Sequence, residues 1–419
     1  MTKNVFPIKN DTACQYKWAW SSIYLNKGTT ASCHRCKHYK FDSETINNFH
    51  NLPGKILDRT KMLNNEWPGN GCEYCKDIED AGGMSDRTAF TNIDDTILPV
   101  ELKTDTSAVN VTPTILEVYF SNLCNQSCVY CRPSFSSVIE HEVKKFGPSK
   151  YNSDYSQFSG DDRENYLQYR TQFFEWMKLH GNKLVMFKML GGEPFYQEEF
   201  EMCLDFFEEN PCPNLTWDIF TNLNHNPERF KQKLERVAKL IEQNKLKSMK
   251  TVVSIDCWGK DLEYVRYGLN LETAEKNINT LLDTDGVEVN IHATITALSL
   301  PSMFELARKI GTWQMKKPIA FNWNTITSPP CFDIYHFGDS FLEDIDNFIK
   351  ELKIIYLHPE QETIFGIRKR METSSVNKTE VNNLYMFLNE LDVRRGDDWK
   401  SKFPQVATIM QNIIGKNDV

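Results

Sequence analysis

From Pro113 onward, apolar residues fall into short runs separated by stretches with helical spacing. The runs ILEVYF (115–120), LVMFKML (184–190), LTWDIFT (215–221), KTVVSID (250–256), VEVNIHATIT (287–296) and IAFNWNTIT (319–327) have the length and composition of strands. Between them, Tyr166, Tyr169, Phe173, Trp176 and Met177 recur at three- and four-residue steps, which predicts a helix over 161–180. Phe230, Leu234, Val237 and Ile241 predict another over 227–246, and shorter helices are expected over 273–283 and 302–315. Strands alternating with helices imply a parallel sheet of βα units. Six units are too few for a closed eight-stranded barrel. The expected fold is therefore α/β, an open, partial (β/α)6 barrel over residues 106–335. Beyond it the pattern turns helical, with Phe341, Ile345, Phe348, Ile349 and Leu352 on one face, so 336–419 reads as a helical C-terminal extension. Residues 1–105 are different. They carry KG, PG, GN and GG turns, many Asn and Asp, and little apolar periodicity. The expectation there is an irregular, cysteine-rich domain that has trouble building its own core, so that a metal staple would help.

Composition narrows the function classes. Over 419 residues, 40% hydrophobic and 25% charged is ordinary for a soluble globular protein. The net charge of −9 argues against a nucleic-acid partner held by a broad positive field. No apolar run reaches the length of a membrane span, and the opening MTKNVFPIKND lacks the apolar stretch of a signal peptide. The expected location is the cytoplasm, without membrane association. In that compartment twelve cysteines read as metal ligands, catalysts or buried apolar side chains rather than disulfides. Cys203, Cys212, Cys257 and Cys331 are scattered and fit the buried reading. The other eight fall in the first third of the chain and call for a metal account.

Three of these, Cys124, Cys128 and Cys131, form a C-x3-C-x2-C triplet in SNLCNQSCVYCRP, just after the first of the six strands. Parallel α/β folds place their sites at the carboxyl ends of strands. Three thiolates can hold a [4Fe–4S] cluster while leaving one iron without a protein ligand, open to a substrate or cofactor. The competing accounts are a zinc site completed by His141, or unligated thiols. The next strand ends in Gly191-Gly192-Glu193-Pro194. Two glycines let the backbone approach a ligand closely, and the glutamate can accept charge-assisted hydrogen bonds from an ammonium. Taken alone, the same four residues also describe a tight turn with a solvated carboxylate.

Together, the triplet, Tyr130 before its last cysteine and the GGEP strand end resemble the radical S-adenosylmethionine superfamily over roughly residues 112–330. The resemblance implies that the three cysteines hold a [4Fe–4S] cluster whose open iron binds the amino and carboxylate groups of S-adenosylmethionine. It implies that Gly191, Gly192, Glu193 and Pro194 contact the methionine amino group. Ser254 and Asp256 match a position near the ribose, and Arg266 in YVRYG an arginine that pairs with the methionine carboxylate. Asn222 in FTNLN stands where the family often shows a TNG-like turn, with Leu223 in place of the glycine.

Further upstream, Cys14, Gly28 and Cys33 are spaced C-x13-G-x4-C, which resembles the hairpin signature of the twitch and SPASM auxiliary-cluster domains, although those are best known after the barrel rather than before it. GCEYC supplies Cys72 and Cys75, so Cys14, Cys33, Cys72 and Cys75 are the expected ligands of an auxiliary [4Fe–4S] cluster, with Cys36 as competitor or spare. The alternative is a zinc ribbon from Cys33, Cys36, Cys72 and Cys75, whose central gap of 35 residues is long against the roughly 15–20 of common ribbons. Ser85 and Arg87 read as braces of this site. FLNELDVRRGDDWKSKFP resembles a segment of phage and bacterial twitch-containing members, and Arg394 and Arg395 within it read as a solvated helix end.

The resemblance implies an enzyme. A one-electron donor such as flavodoxin or ferredoxin reduces the barrel cluster, S-adenosylmethionine is cleaved to a 5′-deoxyadenosyl radical, and that radical abstracts hydrogen from a substrate. A peptide or protein is the substrate class most often paired with an auxiliary cluster. The reading from another class is a non-catalytic zinc or iron–sulfur protein acting as an interaction or electron-transfer module.

Overall fold

The computed structural model describes residues 6–89, 95–156, 163–355 and 361–415. Residues 161–162 of the expected 161–180 helix, and parts of the expected 1–105 and 336–419 segments, lie outside the described residues. Nine strands form one sheet: β1 (Trp20–Tyr24), β2 (Thr29–Ala31), β3 (Tyr39–Lys40), β4 (Ile115–Tyr119), β5 (Met186–Leu190), β6 (Cys212–Thr221), β7 (Leu246–Ser254), β8 (Val287–Ile295) and β9 (Ile319–Thr325). Their order is β3-β2-β1-β4-β5-β6-β7-β8-β9. β4 to β9 are the six expected runs, and they pair in chain order and in parallel. The class is α/β. Among the described residues the sheet ends at β3 and β9, with no pairing between them to close a cylinder.

Helices Arg163–His180, Glu198–Glu209, Pro227–Glu242, Leu271–Asp283 and Met303–Gln314 make the crossovers. The third shows why they form where they do. Asn226 accepts a hydrogen bond from the Arg229 N–H, Pro227 opens the first turn, and Phe230, Leu234, Val237 and Leu240 bury one stripe. Each buried side chain of that kind contributes about 1.5–3 kcal/mol. Leu116, Val118, Phe187, Met189, Trp217 and Ile219 alternate onto the apolar side of the sheet and are buried.

The other side of the sheet is unlike what apolar runs suggest. Glu117, Lys188, Asp218, Lys250 and Glu288 are partners in register across five strands, a row of alternating charge. Lys188 Nζ lies 3.5 Å from Asp218 Oδ2. In the sequence Glu117 and Lys188 are each the one charged residue of an apolar run, ILEVYF and LVMFKML. Strand periodicity puts Tyr119, Leu190 and Phe220 on the same side, two residues further toward the carboxyl ends.

The N-terminal segment corrects the expectation of an irregular unit without a core. β1 pairs in parallel with β4 over five residues, from Trp20 opposite Ile115 to Tyr24 opposite Tyr119, so the segment extends the same sheet. It also has its own apolar cluster, in which Phe6, Trp18, Ala19, Met62, Leu98 and Leu102 surround Cys14, Cys36 and Cys72. Local periodicity misses this core because it is assembled from many short pieces, the longest being the helix Pro53–Leu63.

The C-terminal segment is helical: Leu342–Ile354, Gln361–Thr373, Lys378–Arg395, Trp399–Lys402 and Pro404–Ile414. Arg394 and Arg395 are not a solvated end. Arg395 is buried and donates from Nε and Nη2 to the two carboxylate oxygens of Glu142, at 3.2 and 3.1 Å, tying this segment to the helix Ser137–Phe146. Arg394 is also buried and pairs with Glu390. Among the described residues no helix is long and apolar enough to cross a membrane.

Candidate active site

The cysteine triplet lies on the loop that leaves β4 and leads into the helix Ser137–Phe146. Backbone bonds hold this loop from two sides. On one, Glu193 N–H donates to Leu123 O at 2.8 Å. On the other, Ser127 and Val129 N–H donate to Tyr267 O and Val265 O, both at 2.9 Å. Ser136, which caps the following helix, also donates to Gln126 O at 2.7 Å. The loop is thus fixed before any ligand binds.

The two glycines explain the first clamp. Gly192 has φ +56°, and a Cβ there would meet Leu123 O at 2.1 Å. Gly191 has φ +84°, with Ser121 O at 3.0 Å from the same imagined atom. Only glycine lets the strand end lie this close against the cysteine loop.

Glu193 is buried and heavily engaged. Its Oε1 accepts from Thr221 Oγ1 at 2.8 Å and lies 3.1 Å from His225 Nε2, and its Oε2 accepts from Asn222 N–H at 2.6 Å. Pro194 opens a single 3-10 turn, Pro194–Tyr196. Asn222 in turn donates to Asn125 Oδ1 at 2.9 Å and approaches Cys124 Sγ at 3.8 Å.

These groups surround a cavity of about 330 Å³. Its wall carries Cys124, Cys128, Cys131, Gly191, Gly192, Glu193, Asn222, Ser254 and Arg266 together with Tyr119 and Phe135. Of the sequence-predicted residues, Tyr130, Pro194 and Asp256 do not line it. Asp256 is wholly buried and its carboxylate is taken by three donors: Tyr130 Oη at 2.6 Å, Arg266 Nη2 at 2.9 Å and Thr294 N–H at 2.9 Å. Through it, Arg266 is set with Nη1 3.9 Å from Cys128 Sγ. Burial pushes all three thiols up, Cys131 to about 12, with neighbouring cysteines adding to the effect at Cys124 and Cys131. Two buried wall atoms, Gln126 Nε2 and Arg266 Nε, have no hydrogen-bond partner among the described residues. Polar donors left unpaired in a wall are suited to an absent polar ligand.

A second, smaller cavity lies in the N-terminal segment. Cys14, Cys33, Cys36, Cys72 and Cys75 all line it, with Lys17, His34, Arg35 and Arg87. Gly28 stands at the turn between β1 and β2, so the C-x13-G-x4-C spacing does span a hairpin. Cys36 is not set apart from the expected four. Its sulfur is 3.4 Å from that of Cys33, and its thiol is pulled down by hydrogen bonds from Cys33 and Cys72 and by the Lys17 ammonium. Burial raises Cys14 to about 11. Lys17 is buried against Asp58, Nζ to Oδ2 at 2.6 Å. Arg87 pairs with Glu79 and donates to Ala13 O at 3.0 Å, next to Cys14, while Ser85 Oγ donates to the same Glu79 at 2.5 Å. Both act as braces.

Among the described residues no three His, Cys, Asp or Glu side chains are grouped to hold a single metal ion. His141 is exposed on its helix and does not line the cavity of the triplet. Cys203, Cys212, Cys257 and Cys331 are buried.

Sequence reasoning missed Tyr119, Phe135 and Gln126 in the cavity wall. The alternation of β4 places Tyr119 on the polar side with Glu117, a signal that reading ILEVYF as one apolar run does not show.

No protein-family model matches the chain, and no curated protein matches it. A solved structure described as TYW1 with a lysine-pyruvate adduct bound is similar at 13% identity and a TM-score of 0.28, over 55% of this chain and 69% of that one. So loose an overlap carries no statement about activity.

Proposed function

We propose that this chain is a radical S-adenosylmethionine enzyme. The observation that carries the reading is the shared wall of one cavity: three cysteines of C-x3-C-x2-C spacing, the Gly191-Gly192-Glu193 strand end, Ser254 and Arg266. Three thiolates suit a [4Fe–4S] cluster with one open iron, and the unpaired Gln126 Nε2 and Arg266 Nε suit a polar ligand beside it. When bound, such a cluster supplies one electron to S-adenosylmethionine and so generates a radical that takes hydrogen from a substrate.

The chain's own residues have separate tasks in this reading. Cys124, Cys128 and Cys131 hold the cluster. Gly191 and Gly192 keep the strand end against the cysteine loop. Glu193 fixes the β6 turn through Thr221 and Asn222, and it is the carboxylate that would accept from the methionine ammonium. Arg266 is oriented by Asp256 and is the wall cation that would pair with the methionine carboxylate, while Tyr130 anchors the loop through the Asp256 carboxylate. Asp256 is thus a positioning residue, and Ser254 is the polar strand end left for the ribose. An external one-electron donor is required, and an oxidised peptide or protein is the favoured product class. Cys14, Cys33, Cys36, Cys72 and Cys75 form a second cluster site, in which Cys36 competes on equal terms with the other four.

The test is anaerobic purification with iron and sulfide. The protein is expected to be brown, with about eight irons per chain if both sites fill. Cys128→Ala is expected to halve the iron and abolish 5′-deoxyadenosine formation from S-adenosylmethionine. Colourless protein holding only zinc would favour the non-catalytic module instead.

A further inference from the structure

A run of ring contacts, His38–Tyr24–Tyr119–Phe135, leads from the N-terminal hairpin to the cavity of the cysteine loop. Tyr24 ends β1 and Tyr119 ends β4, and the parallel register makes them direct partners. Their rings are 4.2 Å apart between centroids and only 10° from coplanar. His38, two residues beyond Cys36, stacks on the other face of the array, 4.4 Å from Tyr24 at 26°. At the far end Tyr119 meets Phe135 at 6.0 Å. Tyr119 and Phe135 both line the cavity that holds Cys124, Cys128 and Cys131.

Tyr24 is buried and Tyr119, at the cavity wall, is half-buried. Burial, then the Glu117 carboxylate, pushes the Tyr24 hydroxyl up, and Cys33 is close enough to add to the shift. Burial, then the Glu117 carboxylate, pushes the Tyr119 hydroxyl up as well. Glu117 is held in turn by Ser22 Oγ at 2.9 Å. Two tyrosines kept this parallel cost side-chain freedom. A core position that only fills space need not bear that cost.

We infer that the stacked Tyr24–Tyr119 pair is the electron path between the N-terminal cysteine site and the cavity of the Cys124–Cys131 loop. The inference rests on the proposed reading that each site holds a cluster. One electron leaves one cluster and arrives at the other; no bond is made or broken, and no proton is released. The rings carry the coupling, and the parallel register of β1 and β4 holds them face to face.

The experiment uses the full chain, loaded anaerobically with iron and sulfide. A sub-stoichiometric flash of photoreduced flavin delivers one electron. Freeze-quenched electron paramagnetic resonance then follows its redistribution, with S-adenosylmethionine added to distinguish the signal of the open cluster. Tyr24→Leu, which removes the ring, is expected to slow redistribution by an order of magnitude or more at unchanged iron content. Tyr24→Phe, which keeps the ring, is expected to stay close to the wild-type rate and guards against a folding artefact of the leucine variant. Equal rates in the leucine variant and the wild type, with both clusters present, would overturn the path. So would a phenylalanine variant as slow as the leucine one. Absence of an N-terminal cluster from the wild-type protein would instead defeat the reading on which the inference rests, and the iron count separates the two failures.

Discussion

Leu223 sits directly after Asn222 with φ +59° and is wholly buried. The left-handed conformation costs a residue with a Cβ about 1–2 kcal/mol, and the turn keeps it although leucine occupies the position that the family resemblance assigns to glycine. Burial of the side chain offsets the strain. Leu223 also bonds back, its N–H to Thr221 Oγ1 at 3.0 Å and its carbonyl to Asn277 Nδ2 at 2.8 Å. This yields an inverted substitution order. Leu223→Ala loses the buried side chain and keeps the strain; Leu223→Gly loses the same side chain and relieves it. Elsewhere glycine is less stable than alanine by about 0.5–1 kcal/mol; here the glycine variant is expected to be the more stable by about 1 kcal/mol. Urea denaturation decides it, and an alanine variant equal to or better than glycine would show that the turn relaxes. The Asn222 turn was visible in the sequence as FTNLN. Its conformation was not, because nothing local marks a leucine as left-handed.

At the level of elements, the Arg395–Glu142 pair joins the last long helix, Lys378–Arg395, to the helix that follows the cysteine loop. Both side chains are at least nine-tenths buried, and the Arg395 guanidinium lies 4.7 Å from the ring centre of Tyr267. Tyr267 Oη returns a bond to Arg395 O at 3.2 Å, and Tyr267 O is one of the carbonyls that clamp the triplet. The C-terminal segment therefore braces the cysteine loop from behind. Removing one member of a buried pair strands the other charge, so Arg395→Met is expected to cost about 3–5 kcal/mol. Adding Glu142→Gln to it is expected to recover part of that loss, because the stranded carboxylate goes. A single-variant cost within the roughly 0–1 kcal/mol of surface pairs would refute the brace. The sequence showed the helix and its RRGDD end, but two arginines before a glycine read locally as a solvated terminus. The partner that buries Arg395 is 253 residues away, and no local rule reaches that far. The six parallel strands were legible for the opposite reason, since each announces itself within one short apolar run.

For the whole molecule, the question is whether the cysteine-rich segment is an attachment or part of one body. Turn content and metal-like spacing suggested a separate unit, because the core that Cys14, Cys36 and Cys72 share is built from pieces too short to show periodicity. In the fold, β1 lies between β2 and β4, antiparallel to one and parallel to the other. The seam between the two cysteine sites is thus a strand pair inside the sheet, with Ser22, Glu117, Tyr24 and Tyr119 lying across it. Opening it would leave Glu117 without its Ser22 donor and expose the edge of β4, which costs far more than parting two domains across a wet interface. Unfolding energies within a protein are grouped by such cooperative units. The amides of Trp20–Tyr24 and of Ile115–Tyr119 are therefore expected to merge into one isotherm in native-state hydrogen exchange as denaturant is raised. β2 and β3, at the outer edge, are expected to open earlier. If β1 instead exchanges through its own lower-energy opening while β4 stays protected, the N-terminal segment is an independent unit. The stacked tyrosines would then be parted whenever it opens, and coupling between the two cysteine sites would be intermittent.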